Sequence, residues 1–242
     1  MGTADPVDAM LDELIERIQA TSKACILART CHELGSGIVG TLADGTLVTA
    51  TVGLNLTIEP IPVAELRSFN AVYADFVSDS FHGRLLLDWQ QLLSEVFAHY
   101  VGLHLSGSRT FTELGNTQLK IDFAEPASFQ DQVRRSLCRD FEFRRYADRQ
   151  KLIARLRDPA GLAQDDAETV LCHIHIRNAI QHRHGILDEY AFKELGRNQI
   201  DVLDEAGATR SVRAGDRVVV SFPEFDKLRR ALLAIGQKWR TP

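Results

Sequence analysis

Long apolar runs are missing from this 242-residue chain, and no uncharged stretch reaches eighteen residues. A membrane-spanning helix needs about that length, so none is expected. Cysteine is scarce: Cys25, Cys31, Cys138 and Cys172 form no C-x-x-C pair and no zinc-knuckle spacing. That leaves reduced thiols in a cytoplasmic protein as the expectation. Lysine is scarce too, six against 22 arginines among 28 basic residues. Excess positive charge is absent; at a net −5, nucleic-acid binding must be argued from local clusters. The first residues, with Asp5, Asp8, Asp12 and Glu13, lack the basic-then-apolar shape of a secretory leader. What is present is a 45% hydrophobic, 25% charged composition, ordinary for a chain with a real core.

The periodicity predicts mostly helices. Asp5-Pro6 opens the first, which carries Val7, Met10, Leu11, Leu14, Ile15 and Ile18 at helical spacing to about Cys31. Gly35-Ser36-Gly37 is expected to end it. A hairpin is expected next, with arms 38–43 and 46–52 around Asp44-Gly45 and a β-branched run through Leu54, Leu56 and Ile58. The stretch Gly35-Ser36-Gly37-Ile38-Val39-Gly40 spells the G-x-G-x-x-G of dinucleotide sites. Such a site needs a strand before and a helix after; a helix before and a hairpin after make this a turn. Pro62 starts a second helix, and a third from about Arg84 carries Trp89, Leu92, Leu93, Val96, Phe97, Tyr100 and Val101 as a central stripe. A short strand is expected at 118–123.

Residues 128–157 read as one long helix with nine basic residues against four acids, a local +5. Arg144, Arg145 and Arg149 are its candidate RNA contacts. The competing reading is a solvated face with its own ion pairs, Asp131–Arg135, Asp140–Arg144, Glu142–Arg145 and Asp148–Lys151. Asp158-Pro159 and Gly161 mark a turn into a helix starting near 164–166. After Gly185 come a short helix ending at Gly196, a small β insert (200–202, 211–213, 218–222), and a last helix opened by Pro223-Glu224.

The organising stretch is His173-Ile174-His175-Ile176-Arg177-Asn178-Ala179-Ile180-Gln181-His182-Arg183-His184-Gly185, which holds four of the eight histidines. Histidine titrates nearest neutral pH, so the cluster is a candidate site. On a helix, Cys172, Ile176, Ala179 and Ile180 form the apolar face. Arg177, Ile174, Gln181, Asn178, His182 and His175 form the opposite band. Asn178 and His182 are one turn apart, and Gly185 sits where a left-handed cap would end the helix.

Arg-Asn-three residues-His, with apolar Ile180 in the gap and Gly185 three residues on, resembles the signature of the HEPN superfamily. The resemblance covers roughly residues 82–242 and leaves the first sixty without a relative. It implies a mainly α fold: a HEPN-like helical bundle (62–242) with a small β insert before the last helix. To this is added an N-terminal helix plus β-hairpin module (1–61). It further implies a homodimer whose paired motif helices form a metal-independent endoribonuclease site. A toxin or phage-defence effector is the associated biology, with an antitoxin or nucleotidyltransferase as partner.

RNA carries its own nucleophile, the 2′-hydroxyl, so cleavage needs a proton carrier and a cation for the phosphorane charge. His182 takes the first role and Arg177 the second; Asn178 orients His182 or the phosphate, or supports the dimer. His175 and His184 are auxiliary candidates, and no cofactor is required. The alternative is a catalytically inactive HEPN-like interaction module. A metal site built from His173, His175, His182 and His184 is disfavoured, because His-x-His residues diverge by about 200° on a helix.

Overall fold

The first helix is set by its cap. Asp5 accepts the Val7 amide at 3.0 Å, and Pro6 supplies the helical φ of the first turn. In the computed structural model, which describes residues 5–49, 51, 52, 56, 57, 59–114, 127–157 and 164–240, helix α1 runs Pro6–Thr41. It passes through Gly35-Ser36-Gly37 without breaking. Its end is fixed by Arg67, whose guanidinium takes the carbonyls of Val39, Gly40 and Leu42 and pairs with Asp44. These contacts secure a helix terminus ten residues beyond the expected end near Cys31 and past all three residues of Gly35-Ser36-Gly37.

Asp44-Gly45 is therefore the turn from α1 into a strand, not a hairpin tip. Strand β1 (Leu47–Val48) pairs antiparallel with β4 (Ile61–Pro62), and β2 (Thr51–Val52) pairs with β3 (Leu56–Thr57). The expected arm at 38–43 is helix, and Leu54 and Ile58 lie outside the described residues.

Helix α2 spans Val63–Leu105, about 65 Å at the helical rise, where two helices were expected. Ser78, Asp79, Ser80 and Gly83 interrupt the apolar pattern but not the backbone. Ser78 and His82 are buried, so this polar turn lies inside the bundle. The stripe from Trp89 to Val101 is buried as its spacing predicts, and α1 contributes Val7, Leu11, Leu14, Ile18 and Cys25 to the same continuous core. The expected strand at 118–123 lies outside the described residues.

The long basic helix is instead two, α3 (Phe129–Phe143) and α4 (Tyr146–Arg157). The break has a packing cause. Phe141 stacks on Phe97 at 4.1 Å, and the Tyr146 hydroxyl accepts the Trp89 indole N–H at 2.6 Å. Five residues apart on one helix these rings would diverge by about 140°; an extended Arg144 lets both enter the core.

Helix α5 (Gln164–Arg183), α6 (Glu189–Leu195), the β5/β6 ribbon (Ile200–Leu203 with Thr209–Val212) and α7 (Phe222–Lys238) follow in the expected order. The turn before α5 falls outside the described residues. Residues 218–222 are not a third strand. Arg217 bridges Ile186, the Val218 amide donates to Gly185 at 2.9 Å, and α7 begins at Phe222 under the Ser221 cap. The fold is thus mainly α with a small β insert.

Two sets of glycines predict opposite outcomes. A Cβ at Gly35 or Gly37 would meet nothing within 4 Å, and both sit in helix interior. Gly35→Ala and Gly37→Ala are each expected to raise unfolding free energy by about 0.5–1 kcal/mol in urea titrations. Gly185 has φ +84°, and a Cβ there would lie 2.7 Å from the Val218 carbonyl oxygen. Gly185→Ala is expected to cost about 1–3 kcal/mol in the same measurement.

Candidate active site

The motif helix is sunk in the bundle at its middle and emerges only in its last two turns. Val170, His173, Ile174, His175, Ile176 and Ala179 are all buried, covering nearly the whole circumference. The apolar face is broader than Cys172, Ile176, Ala179 and Ile180, and Ile174 and His175 do not belong to a wet band. From Arg177 onward exposure rises: Arg177 and Asn178 are half-buried, while Gln181, His182, Arg183 and His184 are exposed. The helix then closes on two left-handed residues, His184 (φ 54°) and Gly185 (φ 84°), with the Gly185 amide donating to the Ala179 carbonyl at 3.0 Å.

Arg177 donates from Nη1 to the Asn178 side-chain oxygen at 3.0 Å, and its Nε is buried without a partner. No carboxylate pairs with it among the described residues, and burial alone pushes its pKa below the usual arginine range. An unneutralised guanidinium held half out of water suits an anion with oxygens to spare. His182 stands one turn beyond Asn178, exposed, with no protein hydrogen bond among the described residues. Asn178 and His182 lie one turn apart, while Arg177 and His182, five residues apart, stand about 140° round the helix and flank the emergent end of α5.

The auxiliary histidines do not join them. His175 is 8% exposed and its Nε2 is buried without a partner. Burial lowers its pKa, with Glu194 of α6 and Asp188 pulling the other way. His184 is exposed at the left-handed cap, and neighbouring Arg183 is paired with Asp188 at 2.6 Å. His173 and His175 diverge into different neighbours, as a helix requires. Among the described residues, no group of three or more His, Cys, Asp or Glu side chains is arranged to hold a metal ion.

The basic segment also sorts itself. Arg144 pairs with Asp140 as the spacing predicts, but Arg145 reaches Glu194 across to α6 at 2.8 Å instead of Glu142. Arg149 is 8% exposed, lies over the Phe141 ring, and donates to the Gln90 carbonyl and Ser94 hydroxyl. It is a core residue rather than a phosphate contact, because leaving that position would orphan three interactions.

The sequence did not reveal the polar chain behind the motif. His82 of α2, His173 of α5 and Glu224 of α7 are each fully buried. His82 Nε2 lies 3.1 Å from His173 Nδ1, and His173 Nε2 lies 3.3 Å from Glu224 Oε1. Glu224 also accepts the Leu203 amide at 2.7 Å and pairs with Lys227 at 3.1 Å. Burial, with Arg177 nearby, drives the His82 pKa down to about 3. Burial, His82 and Lys227 hold His173 well below the usual histidine value. Ser221-Phe222-Pro223-Glu224 spells a capping box, and Ser221 does cap α7. The glutamate, however, reaches across to β5 and α5. That cap leaves a signal within four residues of sequence, whereas the pairing of residues 91 positions apart leaves none.

Comparison with family models, curated proteins and solved structures finds no match for this chain. The functional reading therefore rests on the chemistry of that helix end itself. None of the helices among the described residues is long and apolar enough to cross a membrane.

Proposed function

We propose that the protein is a metal-independent endoribonuclease of HEPN type, acting as a homodimer through the emergent end of α5 that carries Arg177, Asn178 and His182. The observation that carries this reading is the half-buried Arg177 guanidinium, held by Asn178 and without a carboxylate partner among the described residues. Arg177 holds the scissile phosphate and the charge that develops on it. His182 moves the proton of the 2′-hydroxyl or of the leaving oxygen. Products are a 2′,3′-cyclic phosphate and a 5′-hydroxyl. A toxin or phage-defence role, with an antitoxin or nucleotidyltransferase partner, follows from this reading.

The test is incubation of the purified protein with RNA and the matching DNA in EDTA. Cleavage of RNA alone supports the proposal; loss of activity in EDTA with recovery on Zn²⁺ or Mn²⁺ overturns it. RNA binding without cleavage, equal in wild type and His182→Ala, indicates the inactive interaction module.

The exposed arginines give a separate expectation. Arg144→Ala with Arg145→Ala should weaken RNA binding and reduce the steepness of its salt dependence by up to two counterions, with chemistry spared. Arg149→Ala should instead lower stability by about 1–3 kcal/mol, read by urea unfolding, and leave the salt slope unchanged.

A further inference from the structure

Helices α4, α5 and α6 meet around a cavity of about 400 Å³. That volume lies toward the lower end of small-molecule sites, which run from roughly 300 to 1,000 Å³. Its walls are apolar: Ala147 of α4, Ala167 and Leu171 of α5, and Leu195 at the end of α6. Leu171 shares a face of α5 with Asn178 and His182, but His182 stands eleven residues on, about 16 Å along the axis. Neither Arg177 nor His182 lines the cavity, so it is a separate site.

One polar group inside it is out of keeping with those walls. Gln150 lines the cavity at 4% exposure, and its side-chain Nε2 is buried with no hydrogen-bond partner among the described residues. Native folds pair nearly all such groups, because an unpaired buried donor destabilises the chain. Packing alone would favour an aliphatic residue at position 150. Lys151 stands at the exposed rim, and the ion pair with Asp148 that its spacing allows is not made. Arg197 also reaches the rim, but it is paired with Glu168, so those two charges cancel.

We propose that this cavity binds a small monocarboxylate with an apolar body, a medium-chain fatty acid or an aromatic acid. The Gln150 amide nitrogen and the Lys151 ammonium are both donors, so the ligand must bring acceptors. The lining carries Lys151 and the balanced Arg197–Glu168 pair, one net positive charge, which matches a single carboxylate. The Glu168 carboxylate at the same rim repels a dianion such as phosphate. One carboxylate oxygen accepts from Gln150 Nε2, the other faces Lys151, and the hydrocarbon lies against Ala167, Leu171 and Leu195. This site goes beyond the nuclease reading and does not depend on it.

Isothermal titration of the full chain with octanoate and with 2-naphthoate tests the proposal, with octan-1-ol and inorganic phosphate as controls. At least one acid should bind one site per chain with a Kd of about 1 mM or tighter, and octan-1-ol and phosphate at least tenfold more weakly. Binding of octanoate alone assigns an acyl ligand, and of 2-naphthoate alone an aromatic one. Gln150→Leu should weaken the acid at least fivefold, and Lys151→Ala should weaken it several-fold and flatten its salt dependence. Ala167→Phe should fill the cavity and abolish binding; if it fails to fold, Ala147→Leu gives the same reading. Without ligand, the urea midpoint of Gln150→Leu should equal or exceed that of wild type, since no bond of the amide nitrogen is lost. A lower midpoint means that the amide is already partnered in the free protein and overturns the proposal. So does the absence of binding by both acids at about 10 mM, octan-1-ol binding as tightly as octanoate, or binding unchanged by Gln150→Leu and the filled cavity. None of these readouts involves RNA, so their failure leaves the nuclease reading standing.

Discussion

On the proposed nuclease reading, replacing Arg177 with alanine should reduce RNA cleavage by about 10²–10³-fold, and His182→Ala by about 10²–10⁴-fold. The two losses have different origins. Arg177 donates to the Asn178 amide oxygen and pairs with no carboxylate among the described residues, so its charge is left for a phosphate. Arg177→Lys keeps the charge but loses the planar fork, and should recover only part of the rate. His182 is exposed and makes no hydrogen bond or ion pair among the described residues, so His182→Ala should leave the thermal midpoint unchanged while abolishing proton transfer. Arg177→Ala should also preserve the fold, because no ion pair is broken. Single-turnover cleavage with a melting curve on each variant separates these effects. A His182→Ala protein that cleaves RNA at the wild-type rate removes His182 from the mechanism.

Folding stability should fall steeply as pH drops below 7, with the buried histidines as the main cause. His82 has its pKa lowered to about 3 in the folded chain against 6.5 unfolded. Above 6.5 neither state binds the proton and the full stability is present. Between 6.5 and about 3 the unfolded chain takes up a proton that the native chain refuses, so each step down favours unfolding. At pH 5 the loss is about 2 kcal/mol for His82. His173, held well below its usual value by burial and by His82 and Lys227, adds a loss of the same sign.

Asp79 works in the opposite direction. Burial and Asp75 raise its carboxyl to about 6, so the native state gains a proton before the unfolded chain does, and stability rises as pH falls through 6. Its partial exposure screens that gain, and the two histidines outweigh it. Urea titrations at pH 7, 6 and 5 measure the net slope, and His82→Gln should flatten it by about 2 kcal/mol over that range. A wild-type profile flat from pH 7 to 5 would mean that the native chain protonates these histidines, against their burial.

What local chemistry encodes was legible without coordinates. The Asp5-Pro6 start of α1, the apolar stripe from Trp89 to Val101, and the left-handed Gly196 after α6 each depend on residues within a turn or two of one another. The same holds for the antiparallel ribbon and for Asn178 and His182 standing one turn apart on α5. Caps, glycine torsions and 3.6-residue periodicity act at that range.

Tertiary packing decided the rest, often against local preference. Gly35 and Gly37 looked like a stop, but Arg67, 25 to 28 residues away, satisfies the carbonyls that end α1 at Thr41. The basic stretch looked like one helix, but Phe97 and Trp89 each claimed a ring from it and bent it at Arg144. Arg149 looked like a phosphate contact and went inside, where Gln90 and Ser94 receive its protons. His173 looked like one of four similar histidines, and α2 and α7 made it the centre of a buried polar chain. Side-chain identity sets what each residue can bond to; which partner lies within 3 Å depends on how distant segments pack, and no spacing along the chain records that.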